Sequence, residues 1–274
     1  MENPIEATFP YFTLNGSIGN RDDFTFSLQP NILPVYEVIR VVNSKPLFLD
    51  DHLQRLSESC LKLNINCDVH CINKWLATFL RFQKVVQCNL RLSITKNEKA
   101  SDFLAYFISS KYPTPKQYTN GVSVELLSLV RDNPSVKVEN RSLRELANEI
   151  ISQRNVYEVL LVNQNGEITE GSRSNFFAVK GNTIYTAPLY YVLEGITRKK
   201  VVQLTHENGI ECVEKPIRVE DLTTFDGAFI TGTSPKVLPV SRIGKVAFKE
   251  ISQTTKTLIE KYDQLIRNYL DSSS

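Results

Sequence analysis

EITEGSRSNFFAVKGNTIYTAPLYYVLEGITR, residues 167–198, decides how this chain is read. A carboxylate, Glu170, sits against Gly171 at the end of a strand-like run. Asn175–Val179 and Thr183–Thr186 read as paired short strands around the turn at Gly181-Asn182. Gly195-Ile196-Thr197 then opens a helix. The first N–H groups of a helix have no partner within it and lie at the positive end of its dipole, so they favour phosphate. Thr197 adds a hydroxyl. A carboxylate held at a strand end can pair with a protonated aromatic nitrogen. The stretch therefore reads as one wall of a site for a phosphorylated, ring-containing ligand.

Downstream of it, residues 196–208 read as a helix, 210–215 and 227–231 as strands, and 253–270 as a final amphipathic helix. Upstream, Val122–Val130 and Val156–Asn163 read as strands and Leu143–Gln153 as a helix, with a turn at Asn165-Gly166. Many short strands joined by turns, with helices packed outside, predict a barrel-like domain. Lys111–Gly121, KYPTPKQYTNG, has prolines, a closing Asn-Gly and no apolar periodicity, and reads as a linker. Before it, Val35–Val42 and Pro46–Leu49 form a hairpin around Asn43-Ser44-Lys45. Asp50 or Asp51 is expected to cap a helix running to about Leu63, with Leu53, Leu56, Cys60 and Leu63 on one face. Ile72–Phe82 reads as a second helix, Leu90–Thr95 and Phe103–Ser109 as strands. The expected architecture is α+β: a small antiparallel α/β domain over residues 1–115 and a larger barrel-like domain over 116–274.

Composition narrows the function classes. The chain is 42% hydrophobic and 23% charged, as ordinary globular proteins are. A formal net charge of +2 gives no strong pull toward nucleic acid or an anionic membrane. The start, MENPIEATFPYF, lacks the basic-then-apolar pattern of a secretory signal, and no apolar run nears the about 18 residues that span a bilayer. The cysteines are odd in number and irregularly spaced, so they read as reduced thiols of a cytoplasmic protein. Cys67 and Cys71 have only His70 nearby, and no metal is expected.

Further chemistry lies outside the opening stretch. Thr231-Gly232-Thr233-Ser234-Pro235 is a second hydroxyl-rich turn. Arg55 stands in His52-Leu53-Gln54-Arg55-Leu56 of the capped helix. Lys137, in Ser135-Val136-Lys137-Val138-Glu139, lies between apolar neighbours; turned inward, its amine would be partly desolvated and nucleophilic. Singly, each has a plainer reading: a helix-start threonine, an ordinary turn, a solvated arginine, a surface glutamate, an outward strand lysine. Their order along the chain says more.

Together these residues resemble the class IV aminotransferases, the fold type IV pyridoxal-phosphate enzymes. That family includes branched-chain and D-amino acid aminotransferases and aminodeoxychorismate lyases. Val35-Tyr36-Glu37-Val38 followed by Asp51-His52-Leu53-Gln54-Arg55-Leu56 resembles the family's first signature. Thr169-Glu170-Gly171-Ser172 with Ser174-Asn175-Phe176-Phe177 resembles the central one. Leu193-Glu194-Gly195-Ile196-Thr197-Arg198 and Thr231-Gly232-Thr233-Ser234 resemble the two later ones. The resemblance implies pyridoxal 5'-phosphate as cofactor, with Lys137 forming a Schiff base to its aldehyde. It implies Glu170 at the pyridine nitrogen, and Arg55, Ile196, Thr197, Thr233 and Ser234 at the phosphate. Tyr36 and Glu37 would line the substrate side, and Arg91 would meet a substrate carboxylate. A homodimer acting on small amino acids and 2-oxo acids is implied as well.

The chain departs from the family pattern in places. The Asp-Arg-Gly and Gly-Asp-Gly stretch ahead of the Tyr-Glu pair is replaced by Pro30-Asn31-Ile32-Leu33-Pro34. An arginine-and-glycine-rich loop is replaced by Thr95-Lys96-Asn97-Glu98-Lys99-Ala100. Asn140-Arg141, after Lys137, follows the lyase pattern. The first expectation is an amino-acid:2-oxo-acid aminotransferase. The second is an aminodeoxychorismate lyase forming 4-aminobenzoate and pyruvate. The third, from another class, is a cofactor-binding protein without catalysis.

Overall fold

The computed structural model describes residues 7–23, 34–96, 100–131 and 134–272. The expectations about Pro30–Leu33 and about residues 97–99 fall outside them. The chain divides into two compact units. The first takes in Met1–Lys111, Val136–Glu139 and Tyr269–Ser274, and the second Tyr112–Ser135 and Asn140–Asn268.

The first unit holds β1 (Ala7–Leu14), β2 (Ser17–Asn20), β3 (Val35–Val42), β4 (Lys45–Pro46), α1 (Leu49–Lys62), α2 (Val69–Gln83), β5 (Gln87–Lys96) and β6 (Ser101–Ile108). Its sheet runs β2-β1-β6-β5-β3-β4, antiparallel throughout. Strand alternation divides the residues between two faces. Val35, Ile39 and Val41 of β3, Leu90, Leu92 and Ile94 of β5, and Phe103, Ala105 and Phe107 of β6 share one face. They pack with Leu53, Leu56 and Cys60 of α1 and Ile72, Leu76 and Phe79 of α2. Tyr36 and Val38, with Arg91 and Ser93 opposite or diagonal to them, belong to the other face.

α1 does not begin as expected. Phe48 precedes it in the left-handed region (φ 53°) with no side-chain cap, and Asp50 and Asp51 lie inside the first turn. There they favour the positive end of the helix dipole instead of capping it. Leu63 is past the helix end and 38% exposed, off the buried face.

The expected linker also contains structure. α3 (Pro115–Asn120) starts with a capping box in which Thr114 and Gln117 bond reciprocally, with proline in the first turn. The chain crosses from one unit to the other at Lys111/Tyr112. It then returns to the first unit for Val136–Glu139, so Lys137 belongs to that unit and not to residues 116–274 as a block. The return is held by backbone pairing: Tyr36 N–H donates to the Lys137 carbonyl at 3.0 Å, and Val35 and Val138 form an antiparallel bridge.

The second unit continues with β7 (Val122–Ser128), α4 (Arg141–Arg154), β8 (Glu158–Val162), β9 (Glu167–Gly171), β10 (Asn175–Lys180), β11 (Thr183–Thr186), α5 (Ile196–Glu207), β12 (Glu211–Glu214), β13 (Ile217–Arg218), β14 (Gly227–Gly232), β15 (Lys236–Ile243), β16 (Val246–Ala247) and α6 (Gln253–Ser272). The run β10-β14-β15-β7-β8-β9 is closed by pairing of β9 with β10, which makes it a barrel. Val122, Val124, Leu160, Ile168, Phe176, Ala178, Ile230, Leu238 and Val240 form its apolar core. Among the described residues no helix is long and apolar enough to cross a membrane, and no group of His, Cys, Asp and Glu could hold a metal.

Candidate active site

Glu170 lies next to the last residue of β9, and its partner in the barrel-closing pair is Asn175. Its side chain is nearly buried, at 3% exposure. The carboxylate accepts from Leu193 N–H at 3.1 Å and from Asn175 Nδ2 at 3.5 Å, and Arg131 Nε lies 3.0 Å away. A buried charge is tolerated when it is paired and hydrogen-bonded in this way. The turn that follows is held by a second acid. Glu158, buried at the start of β8, accepts from Ser172 Oγ at 2.6 Å, Ser174 Oγ at 3.0 Å and Arg173 N–H at 3.2 Å.

The same neighbourhood reaches the start of α5. Asn175 Nδ2 donates to the Leu193 carbonyl at 2.8 Å. Gly195 caps α5 with no side-chain bond, and Ile196 and Thr197 are buried. A Cβ on Gly195 would come within 2.1 Å of Asn175 Oδ1, so only glycine allows this approach. Thr197 Oγ1 accepts from Tyr262 at 3.4 Å. Asn175 is also in register with Thr231, after which Thr233 and Ser234 make the turn into β15. Thr231 Oγ1 is buried and has no hydrogen-bond partner among the described residues. The second unit thus brings together Glu170, the open start of α5 and the strand leading to Thr233 and Ser234.

The first unit sorts its candidate residues onto two faces. On the helix face, Glu37 is fully buried and bound in bidentate fashion by Arg55, Nε to Oε1 at 2.7 Å and Nη2 to Oε2 at 2.6 Å. His52 Nδ1 lies 2.7 Å from Oε2. Burial alone would raise the Glu37 pKa, but the Arg55 charge and the His52 bond outweigh it and hold it at about 2. Burial pushes His52 below its ordinary value, so the ring is neutral and Nδ1–H is the donor. Glu37 therefore faces Arg55, away from Tyr36.

Beside Tyr36, the Lys137 ammonium lies 4.8 Å from the ring centre, where its charge also acts to lower the His52 pKa, and the Arg91 guanidinium lies 4.6 Å from the same ring centre. Arg91 Nη2 bonds Glu139 Oε2 at 3.2 Å. Tyr36, Lys137 and Arg91 form one wall.

The sequence matches the family described as amino-transferase class IV over residues 34–243. This chain is a class IV aminotransferase family member. Among curated relatives of the family, the chain is 33% identical over 250 residues to a Methanocaldococcus jannaschii protein assigned as a branched-chain-amino-acid aminotransferase, covering 84% of this chain and 86% of that one. It is 33% identical over 230 residues to D-alanine aminotransferase of Bacillus licheniformis, covering 76% and 78%. It is 26% identical over 256 residues to aminodeoxychorismate lyase of Bacillus subtilis, covering 86% of each. Among solved class IV structures, a T.th. branched-chain amino acid aminotransferase with pyridoxamine 5'-phosphate superposes with a TM-score of 0.85 at 22% identity, covering 97% of this chain and 96% of that one. The chain therefore has the fold type IV architecture and belongs to an enzyme family.

Sequence reasoning about this class IV chain missed Arg131, Glu158 and Glu139. Nothing distinguishes an arginine just past a strand from a solvated one. Glu158, an acid opening an otherwise apolar strand run, was a signal that could have been read.

Proposed function

We propose that this protein is a pyridoxal-phosphate-dependent aminotransferase that moves an amino group between an amino acid and a 2-oxo acid. Glu170 carries the reading. It is a buried carboxylate in the barrel-closing pair, fixed by Leu193 N–H, Asn175 and Arg131. Such a group suits a protonated pyridine nitrogen, and the open N–H groups of Ile196 and Thr197 suit a phosphate. The buried, unpartnered hydroxyl of Thr231 fits a polar ligand beside Thr233 and Ser234. The residues present therefore match the cofactor's two polar ends.

When bound, pyridoxal phosphate supplies an electron sink for the carbanion at the substrate α-carbon. Lys137 would hold the cofactor through its Nζ amine, and that Nζ would move the substrate α-proton, first as a base and then as an acid. Arg55, Ile196, Thr197, Thr233 and Ser234 would hold the phosphate, and Tyr36 and Arg91 would line the substrate side. Glu37 serves the site through Arg55, whose guanidinium it orients. The proposal includes a homodimer, on the family resemblance, and a cytoplasmic setting, with which five free cysteines agree.

Transamination is favoured over the lyase reaction because both relatives at 33% identity bear aminotransferase names. The lyase-like Asn140 also has a structural task, since it caps α4 by accepting from Leu143 N–H at 2.9 Å. Borohydride reduction of the protein with pyridoxal phosphate, followed by peptide mapping, should place the label on Lys137. Lys137→Ala should lose both label and visible absorbance while keeping its far-ultraviolet circular dichroism. A label on Lys96, Lys99, Lys116 or Lys180 would refute the assignment. Amino-group exchange with 2-oxoglutarate tests the reaction. No exchange with any amino acid, together with pyruvate release from aminodeoxychorismate, would replace transamination by the lyase reading.

A further inference from the structure

Glu139 stands two residues after Lys137 on the segment that returns to β3. Its backbone N–H donates to the Pro34 carbonyl at 3.4 Å, just ahead of the Tyr36–Lys137 bond. Val138, between Lys137 and Glu139, packs into the core on the helix face. Lys137 and Glu139 both lie on the Tyr36 side, Lys137 over the Tyr36 ring and Glu139 against Arg91. There the Glu139 carboxylate meets Arg91 at 3.2 Å, with both side chains 12% exposed. The guanidinium also lies over the Tyr36 ring, the ring that Lys137 contacts.

A nearly buried guanidinium beside the reactive lysine would by itself attract a second carboxylate on a substrate. It would also leave an uncompensated charge whenever the substrate side chain is neutral. Glu139 removes both effects, because it fills the carboxylate place on Arg91 from within the chain. We infer that Glu139 is a specificity-determining residue, which competes with substrate side-chain carboxylates for Arg91 and biases the site toward neutral side chains. An acidic side chain binding on this wall must displace Glu139 or stand next to its like charge, and like-charge juxtaposition disfavours the wrong ligand strongly. The inference rests on the proposed function only in taking this wall as the substrate side.

The test compares glutarate with pentanoate, ligands of equal length with two carboxylates and one. Binding of each is measured by calorimetry to the pyridoxal-phosphate-loaded protein, to Glu139→Gln and to Glu139→Gln/Arg91→Gln. The Kd ratio of glutarate to pentanoate should fall about tenfold or more in Glu139→Gln and return in the double variant. The kcat/KM ratio of glutamate to 2-aminobutyrate should rise in parallel. An unchanged Kd ratio in Glu139→Gln overturns the inference, as does a fall that persists in the double variant or the failure of either ligand to bind any of the three proteins. Wild-type protein that binds both ligands with the expected ratios yet transfers no amino group refutes the proposed function instead, and leaves the Glu139 assignment standing.

Discussion

At the scale of single residues, Glu37 makes the sharpest prediction. Its carboxyl stays ionised in the folded chain down to about pH 2, against an ordinary value of 4.5. Between those values the unfolded chain binds the extra proton, so stability falls as pH drops through the window. The full shift corresponds to about 3 kcal/mol, of which about 2 kcal/mol is lost by pH 3. His52 acts in the same direction, because its depressed folded value means that acid favours the unfolded chain from about pH 6.5 downward. Urea unfolding between pH 6 and pH 3 should therefore show a steeper acid loss in wild type than in Glu37→Gln; equal losses would contradict it. Motif spacing singled out Tyr36, Glu37, Arg55 and Glu170, and the structure pairs Glu37 with Arg55 and buries Glu170. It could not show that Glu37 and Tyr36, adjacent in sequence, serve opposite faces. That follows from which parity of β3 is apolar, and Val35, Ile39 and Val41 do carry the signal. Arg131 was illegible because its partner is far along the chain and no local pattern links the two.

At the scale of elements, periodicity locates most helices and strands, whereas their ends are set by chemistry that a coarse pattern overlooks. α3 lies in a stretch that reads as linker because it has no apolar stripe, yet Thr114, Pro115 and Gln117 spell out a helix start. Asp50 and Asp51 read as caps of α1 because they precede its apolar face. The left-handed Phe48 instead turns the chain two residues before Asp50. Asn140 shows the converse, a residue that reads as a mark of reaction type and turns out to cap α4. Asn140→Ala should lower stability by about 1 kcal/mol, and Asn140→Asp should be nearly neutral, since aspartate caps equally well. Thermal unfolding of the two variants measures this. A loss of the same size in both would mean that the side chain acts through something other than the cap.

At the scale of the whole molecule, the two-part α+β architecture was legible from the alternation of strand-rich and helical runs. The barrel-like second part was legible too; which strands close it was not, because closure rests on the pair Glu170 with Asn175, across a turn that reads in sequence as punctuation. Nor was the ownership of the chain's end. Residues from Tyr269 onward belong to the first unit, although they finish α6, a helix that begins among the residues of the second. Three contacts account for this. The Tyr269 and Phe48 rings lie 4.9 Å apart, Tyr269 donates to the Pro46 carbonyl at 3.4 Å, and Lys45 donates to the Leu270 carbonyl at 2.7 Å. All three act on the hairpin β3–β4 and the start of α1, the segment that carries Glu37, His52 and Arg55. An aromatic pair contributes about 1 kcal/mol beyond its buried area, and each hydrogen bond about 1 kcal/mol. A chain ending at Asn268 should therefore lose about 3 kcal/mol, and that loss should be local. Amide hydrogen exchange should quicken across Val35–Lys62 while the barrel amides of Val122–Val162 keep their protection. Tyr269→Ala should reproduce most of the effect, because two of the three contacts are its own. Uniform quickening across the barrel, or unchanged exchange in Val35–Lys62, would show that the last residues do not brace the first unit.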